Sequence, residues 1–212
     1  MIPVKPQPEP DDFDRLVRIP GKNFLKGLFG AKPTDKQWRE NDDWKEVRSE
    51  LIESYHRICA YYAHWIPSAS CIANIDHFIP KSVEPKLAYE WSNFRLACPL
   101  ANTRKKNYQD VLDPFTIGED WFVLEFPSLY LKPNPQLPTN IQQQICATIK
   151  RLKLNDYPTL VDERTRWLKM YCEGASFDFL KINAPFIAHE LKRQNLVEEI
   201  KNMMDFEQDI ED

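Results

Sequence analysis

A chain of 212 residues with 42% apolar and 28% charged side chains has the composition of a globular protein with room for one substantial core. No apolar run approaches the roughly 20 residues of a membrane-spanning helix, and "MIPVKPQPEPDDFD" lacks the basic-then-apolar layout of a secretory signal, so a cytoplasmic location without a membrane partner is expected. The formal net charge is −4, so a polyanionic partner must be met by a local basic patch and not by the molecule as a whole.

Residues 1–14 hold four prolines and few large apolar groups, which predicts an extended lead-in. "GKNFLKGLFGAKP", residues 21–33, has three glycines and is expected to be irregular but partly packed. Thr34 with Gln37 makes a capping-box pattern, and a second helix start follows at Asp42 or Asp43. From there Trp44, Val47, Leu51, Tyr55, Ile58 and Tyr62 recur at steps of three or four, the core-facing side of one long amphipathic helix over 43–65.

The texture changes over 72–108. "IANIDHFI" reads as a strand, "PKSVEPKLAYEWS" as a loop with a helical turn, and "NFRLAC" as a second strand begun by Asn93. "PLANTRKKN" reads as a short helix with Pro99 in its first turn, where proline is tolerated. Further strand is expected near "WFVLEF", and the remainder reads as helix. Thr139 with Gln142 is expected to cap a helix carrying Ile141, Ile145, Ile149 and Leu152. Leu160, Arg164, Trp167, Leu168 and Tyr171 give another helical face, and "APFIAHELKRQNLVEEIKNMM" a third before the acidic tail "DFEQDIED". The fold class is therefore α+β, a small ββα unit embedded in a predominantly helical protein.

The glycines are too few and too scattered for a GxxxxGK[ST] or GxGxxG phosphate loop, and neither G-x-S-x-G nor HExxH occurs. What remains is Asp76-His77, Asn93, Asn102 and Lys105. Folding the hairpin back and laying the helix across it would bring Asp76, His77 and Asn102 together. A carboxylate and an amide oxygen suit a hard cation such as Mg²⁺ or Mn²⁺ with waters completing its shell. A neutral histidine beside them can take a proton from water near pH 7, and Lys105, one turn beyond Asn102, can meet a phosphate oxygen. Taken singly these residues are commonplace: an Asp-His pair is usually a surface loop and a lone Asn93 a turn residue. Their combination gives the pattern its meaning.

In "IDHFIPKS", "WSNFRLAC" and "ANTRKKN" the chain resembles the HNH endonucleases of the ββα-metal superfamily over roughly residues 74–107. The resemblance implies a ββα-metal (HNH) unit in which His77 is the general base, Asp76 and Asn102 are metal ligands, and Asn93 holds the loop that orients the histidine. It implies Mg²⁺- or Mn²⁺-dependent hydrolysis of DNA, by in-line attack of a water that His77 deprotonates, leaving a 5′ phosphate. An unperturbed imidazole would make activity fall below about pH 6.5. "LAYEWSNFRLA" and "VLDPF" are also similar to bacterial HNH proteins associated with phage defence and mobile elements, which implies a setting in antiviral defence. The rival reading is a noncatalytic nucleic-acid-binding or assembly module that keeps the fold and docks a partner such as an ATPase subunit through its helices and acidic tail. The corresponding division of the chain is an extended segment over 1–33, a nuclease core with its supporting helix over 34–110, and a mostly helical elaboration over 111–212.

Many HNH proteins hold a structural zinc with two CxxC pairs, but here the places read "CAYY" and "CPLA", half the thiols zinc requires. His56, His64 or Cys71 would have to substitute, so no structural zinc is expected. Cys59 and Cys98 read as small buried apolar residues, and His56, His64 and His189 as structural. The five cysteines (Cys59, Cys71, Cys98, Cys146, Cys172) are scattered as reduced thiols rather than as a disulfide framework. Between residues 76 and 106, six basic side chains (Lys81, Lys86, Arg95, Arg104, Lys105, Lys106) face three acidic ones (Asp76, Glu84, Glu90). Lys105, Arg104, Arg95 and Lys81 are the expected phosphate contacts, and Lys86 and Lys106 the solvated ones. Trp91 reads as a packing anchor, not a surface for stacking bases.

Overall fold

The computed structural model describes residues 1–68 and 72–204; Cys71 and the acidic tail over 205–212 lie outside the described residues. The proline-rich start is extended but pinned down. Val4 N donates to Pro114 O at 2.8 Å, Gln7 N to the Tyr55 hydroxyl at 3.1 Å, and Trp91 Nε1 to Gln7 O at 2.9 Å. Met1, Phe13 and Val17 are buried. A π-helical turn over Asp14–Arg18 then runs into α1 (Ile19–Gly27), so residues 14–27, within the stretch expected to be extended or irregular, are helical. Pro20 sits where the π-helical turn passes into α1. Gly21 is there for contact: a Cβ would stand 2.0 Å from Cγ of Tyr89. Glycines that read as irregularity thus include one that lets a helix approach an aromatic ring.

Helix α2 (Asp35–Glu40) starts with the expected capping box, Thr34 and Gln37 each bonding the other's backbone N–H. A 3₁₀ turn over Asp43–Val47 leads into α3 (Arg48–Ser54). Trp44, Val47, Leu51 and Tyr55 face the core as their spacing predicts, but the long helix stops there. His56 and Arg57 take left-handed φ of 49° and 62°, and the chain reverses into a short bridge between Ile58 and Trp65. The physical reason lies in the next residues: Cys59, Ala60, Tyr61, Tyr62, Ala63 and Ile66 are all buried, more apolar surface than one helix face can hide.

The centre is a strand–strand–helix unit. β1 (Asn74–His77) pairs antiparallel with β2 (Phe94–Ala97), placing Asp76 opposite Arg95 and His77 opposite Phe94. The connection carries 3₁₀ turns over Pro85–Tyr89 and Trp91–Asn93. Asn93 therefore ends a turn and does not begin the strand. Helix α4 (Pro99–Lys105) follows with Pro99 in its first turn, as expected, and packs on both strands. Trp91 is buried edge-on against Phe13 and Phe94, a packing anchor.

A second hairpin, β3 (Phe122–Glu125) with β4 (Tyr130–Pro133), precedes α5 (Thr139–Leu152). Thr139 does not cap α5: it lies inside the helix, Pro138 precedes it, and Gln142 Nε2 donates to Leu137 O at 2.7 Å and Pro135 O at 3.2 Å. Helices α6 (Thr159–Cys172), α7 (Phe177–Asn183), α8 (Pro185–Arg193) and α9 (Ile200–Met203) complete the described chain. One buried cluster takes side chains from Met1 to Ile200, enclosing the hairpin–helix unit. No helix among the described residues is long and apolar enough to cross a membrane.

Candidate active site

Asp76 and His77 reach a cleft of about 210 Å³ lined also by Trp44, Lys81, Asn102 and Lys106. β1 supplies the first two, the loop after it supplies Lys81, and α4 supplies Asn102. The three residues read together from sequence therefore share one cleft.

His77 Nε2 lies 2.9 Å from Ala88 O. A carbonyl only accepts, so Nε2 carries the hydrogen and Nδ1 keeps a lone pair. Trp44 and Phe94 stand edge-on to the imidazole at 4.9 and 5.3 Å. Burial lowers its pKa to about 4; the bond to Ala88 opposes this and the charges of Lys81 and Lys105 add to it. The titration expected near 6.5 is displaced, and the ring is neutral across the physiological range.

Asn93 makes the connection rigid. Its Oδ1 accepts from Ile79 N at 2.8 Å, and its Nδ2 donates to Ile79 O and Leu87 O, each at 3.0 Å. Leu87 is bonded to Ala88, whose carbonyl holds His77, so one buried amide fixes both ends of the loop that aims the imidazole. Asn93 thus clamps the loop, as the resemblance implied.

Asp76 is 3% exposed and Lys105 0%. Lys105 Nζ lies 3.2 Å from Oδ1 and 3.1 Å from Oδ2 of Asp76, and it donates to His77 O at 3.0 Å. The Tyr61 hydroxyl donates to Asp76 Oδ2 at 2.5 Å. Burial raises the Asp76 pKa, with Lys105 and Tyr61 pulling it back. Burial also pushes the Tyr61 phenol far above its ordinary value, which keeps it a donor.

Three expected phosphate contacts are occupied elsewhere. Lys105 is buried on Asp76. Arg95 is 3% exposed and bidentate to Asp113 at 2.8 and 2.7 Å, with its guanidinium 3.4 Å from the centre of the Phe115 ring. Arg104 bonds Leu152 O and Lys153 O at 3.2 Å and Asp156 at 2.5 Å, closing the C-terminal end of α5. Each has a partner that satisfies its charge inside the fold. Lys81 remains on the cleft, its ammonium 4.4 Å from the Trp44 ring centre, and burial lowers its pKa. Lys106 is exposed, as expected, and also lines the cleft, following α4 with a positive φ of 47°.

Two contributors are silent in the sequence. Trp44 sits among core-facing helix positions, and Tyr61 lies in a stretch that reads as the same helix; neither carries a local signal separating it from packing.

A carboxylate and an amide on one cleft are the oxygen types that a hard divalent cation takes. Among the described residues nothing hydrogen-bonds the Asn102 side chain, and Asp76 uses three of the about four lone-pair sites of a carboxylate. A second group, Asp120, His189 and Glu190, brings ligand atoms within 4.8 Å of one another. Its members are already satisfied: His189 Nε2 meets Asp120 Oδ1 at 2.7 Å, while Glu190 accepts from Leu124 N, Arg193 and Gln194. These bonds form a polar network tying α8 to β3, and the same three side chains could hold a metal ion. His64 is buried, its pKa lowered to about 4 by burial and by Arg164; His56 is exposed on the left-handed turn. Cys59 and Cys98 are buried with sulfurs 3.9 Å apart, and Cys98 N donates to Cys59 Sγ at 3.4 Å.

No protein-family model matches this chain, and no curated protein is significantly similar to it.

Proposed function

We propose that this chain is a metal-dependent endonuclease of the HNH type, hydrolysing phosphodiester bonds in DNA. The observation that carries the reading is His77, held through Nε2 by Ala88 O with Nδ1 unprotonated, in a cleft shared with Asp76 and Asn102.

Nδ1 takes a proton from a water, which attacks phosphorus in line with the departing 3′ oxygen and leaves a 5′ phosphate. The imidazolium that forms is held in place by the Ala88 carbonyl, itself fixed through the Asn93 clamp. A Mg²⁺ or Mn²⁺ on Asp76 and Asn102 supplies charge stabilisation for the leaving oxygen when bound. Lys105 and Tyr61 hold the Asp76 carboxylate in position, and Lys81 and Lys106 present ammonium groups to the phosphate oxygens. A setting in antiviral defence, with a partner such as an ATPase subunit, rests on the sequence resemblance alone.

One observation favours the noncatalytic alternative: the Lys105 ammonium already neutralises Asp76, so the carboxylate is balanced without a metal. Plasmid incubation with and without Mg²⁺ or Mn²⁺ separates the two, read beside DNA affinity. General-base assistance contributes about 10²–10⁴ in rate, so His77→Ala should lose at least that while binding DNA nearly as before. Binding by the wild type without metal-dependent cleavage would overturn the endonuclease reading. Near-normal cleavage by His77→Ala would remove the histidine from the mechanism.

A further inference from the structure

The turn between α1 and α2 carries an anomaly that the cleft does not explain. Phe29 is 97% exposed and takes a left-handed φ of 49°. A bulky residue in that conformation costs free energy, and a phenylalanine so exposed contributes almost nothing to the core. The turn is nonetheless well built: Phe29 N donates to Lys26 O at 3.1 Å and Ala31 N to Leu28 O at 2.9 Å, so the ring is held outward by the backbone. A single exposed apolar side chain is ordinary on a protein surface; the positive φ of a bulky residue is the feature that points to a functional role.

The neighbourhood defines that partner's charge. A groove of about 520 Å³ runs between α1 and the 3₁₀ turn over Pro85–Tyr89, lined by Lys22, Leu25, Lys26, Gly30, Lys86 and Glu90. Its one carboxylate, Glu90, is bonded by Arg18 at 2.8 Å and lies 3.9 Å from Lys22. Among the described residues Lys26 and Lys86 have no acidic partner. The groove is therefore cationic at its rim and apolar at Leu25. In the segment after Phe29, Lys32 Nζ donates to Ser82 O at 3.4 Å, in the loop that also carries Lys81.

We infer that this groove and Phe29 form a second nucleic-acid contact, in which Lys26 and Lys86 take backbone phosphates of a single strand and Phe29 stacks on an unpaired base. The inference extends the endonuclease reading, since it supplies the substrate grip that Arg95, Arg104 and Lys105 do not. A single strand is favoured over a duplex because stacking on a ring held at a turn needs an exposed base face, which a paired base does not offer. A nucleic acid is favoured over a lipid surface because the cations line a groove, not a flat face around the aromatic.

The test is fluorescence anisotropy with a labelled mixed-sequence single-stranded oligodeoxynucleotide in EDTA, which prevents cleavage, alongside 2-aminopurine fluorescence to report stacking. Phe29→Ala should weaken binding about 5- to 150-fold, the value of one base–aromatic stack, and abolish the 2-aminopurine change. Phe29→Trp should retain both. Lys26→Gln with Lys86→Gln should reduce the salt slope by about 1.4, that is ~0.7 for each phosphate contact on a single strand. All three positions are exposed, and an unchanged thermal melt confirms that the fold is intact. Wild-type affinity in Phe29→Ala, no binding by the wild type, or a Phe29-dependent affinity for phosphatidylserine vesicles in place of the oligonucleotide would overturn the inference. Plasmid cleavage by the same proteins keeps the two readings apart. A wild type that binds through Phe29 but never cleaves sinks the endonuclease, whereas one that cleaves while Phe29→Ala binds unchanged sinks only this contact.

Discussion

Replacing Asn93 with alanine removes three hydrogen bonds at once, taking their side-chain partner from Ile79 N and Ile79 O and leaving Leu87 O with only the 3.4 Å bond from Glu90 N. Each bond has a net value of about 0.5–1.5 kcal/mol, so the expected loss of stability is roughly 1.5–4.5 kcal/mol, with the middle near 3. For a chain of this length 1 kcal/mol moves the melting midpoint by about 2–4 °C, so a drop of about 6–12 °C is expected. The functional loss should exceed the stability loss, because the freed loop also carries Ala88 O, the only backbone group orienting His77 among the described residues. Urea denaturation gives the stability, and metal-dependent cleavage well below the melting midpoint gives the activity of the fraction that remains folded. Asn93→Asp discriminates further: its carboxylate still accepts from Ile79 N but cannot donate to Ile79 O or Leu87 O, so it should fall nearer to alanine than to wild type. An Asn93→Ala protein as stable and as active as wild type would refute the clamp.

Lys105→Met should cost about 3–5 kcal/mol at neutral pH, because it strands the buried Asp76 carboxylate without its cation, and adding Asp76→Asn should recover much of that; a single variant no less stable than wild type in urea would contradict the pairing. His64 has a folded pKa of about 4 against about 6.5 unfolded, so its contribution is complete above pH 6.5 and is lost as pH falls toward 4. The loss amounts to about 3 kcal/mol, and His64→Leu should flatten that part of the stability–pH curve, which chemical denaturation at stepped pH would reveal. Elemental analysis should find less than stoichiometric zinc, since Cys59 and Cys98 have no further His, Cys or carboxylate completing a site among the described residues; one tightly held zinc per chain would overturn that reading.

Two strands, a helix with proline in its first turn and the Thr34–Gln37 box are all legible in the order of residues alone, while the clamping role of Asn93 is what the resemblance implied. They depend on side-chain period, on backbone N–H groups a few residues away, or on a residue pattern complete within about thirty positions. The α1 helix is not legible there, because Gly21 owes its place to Tyr89, a contact between residues far apart in sequence. Nor is the break after Ser54, which follows from how much apolar surface residues 59–66 must bury in three dimensions.

The identity of the polar side chains at the cleft is thus written in the chain, while their availability is not. Arg95, Arg104 and Lys105 look alike along the chain as cations near Asp76. Tertiary folding brings Asp113 to the first, Asp156 to the second and Asp76 itself to the third, and leaves Lys81 and Lys106 on the cleft. The His77 pKa moves for the same reason, since desolvation by Trp44 and Phe94 is set by packing. Period and local hydrogen bonding act over a few residues and can be read from neighbours; charge pairing and desolvation act across space, and only the folded chain decides which groups meet.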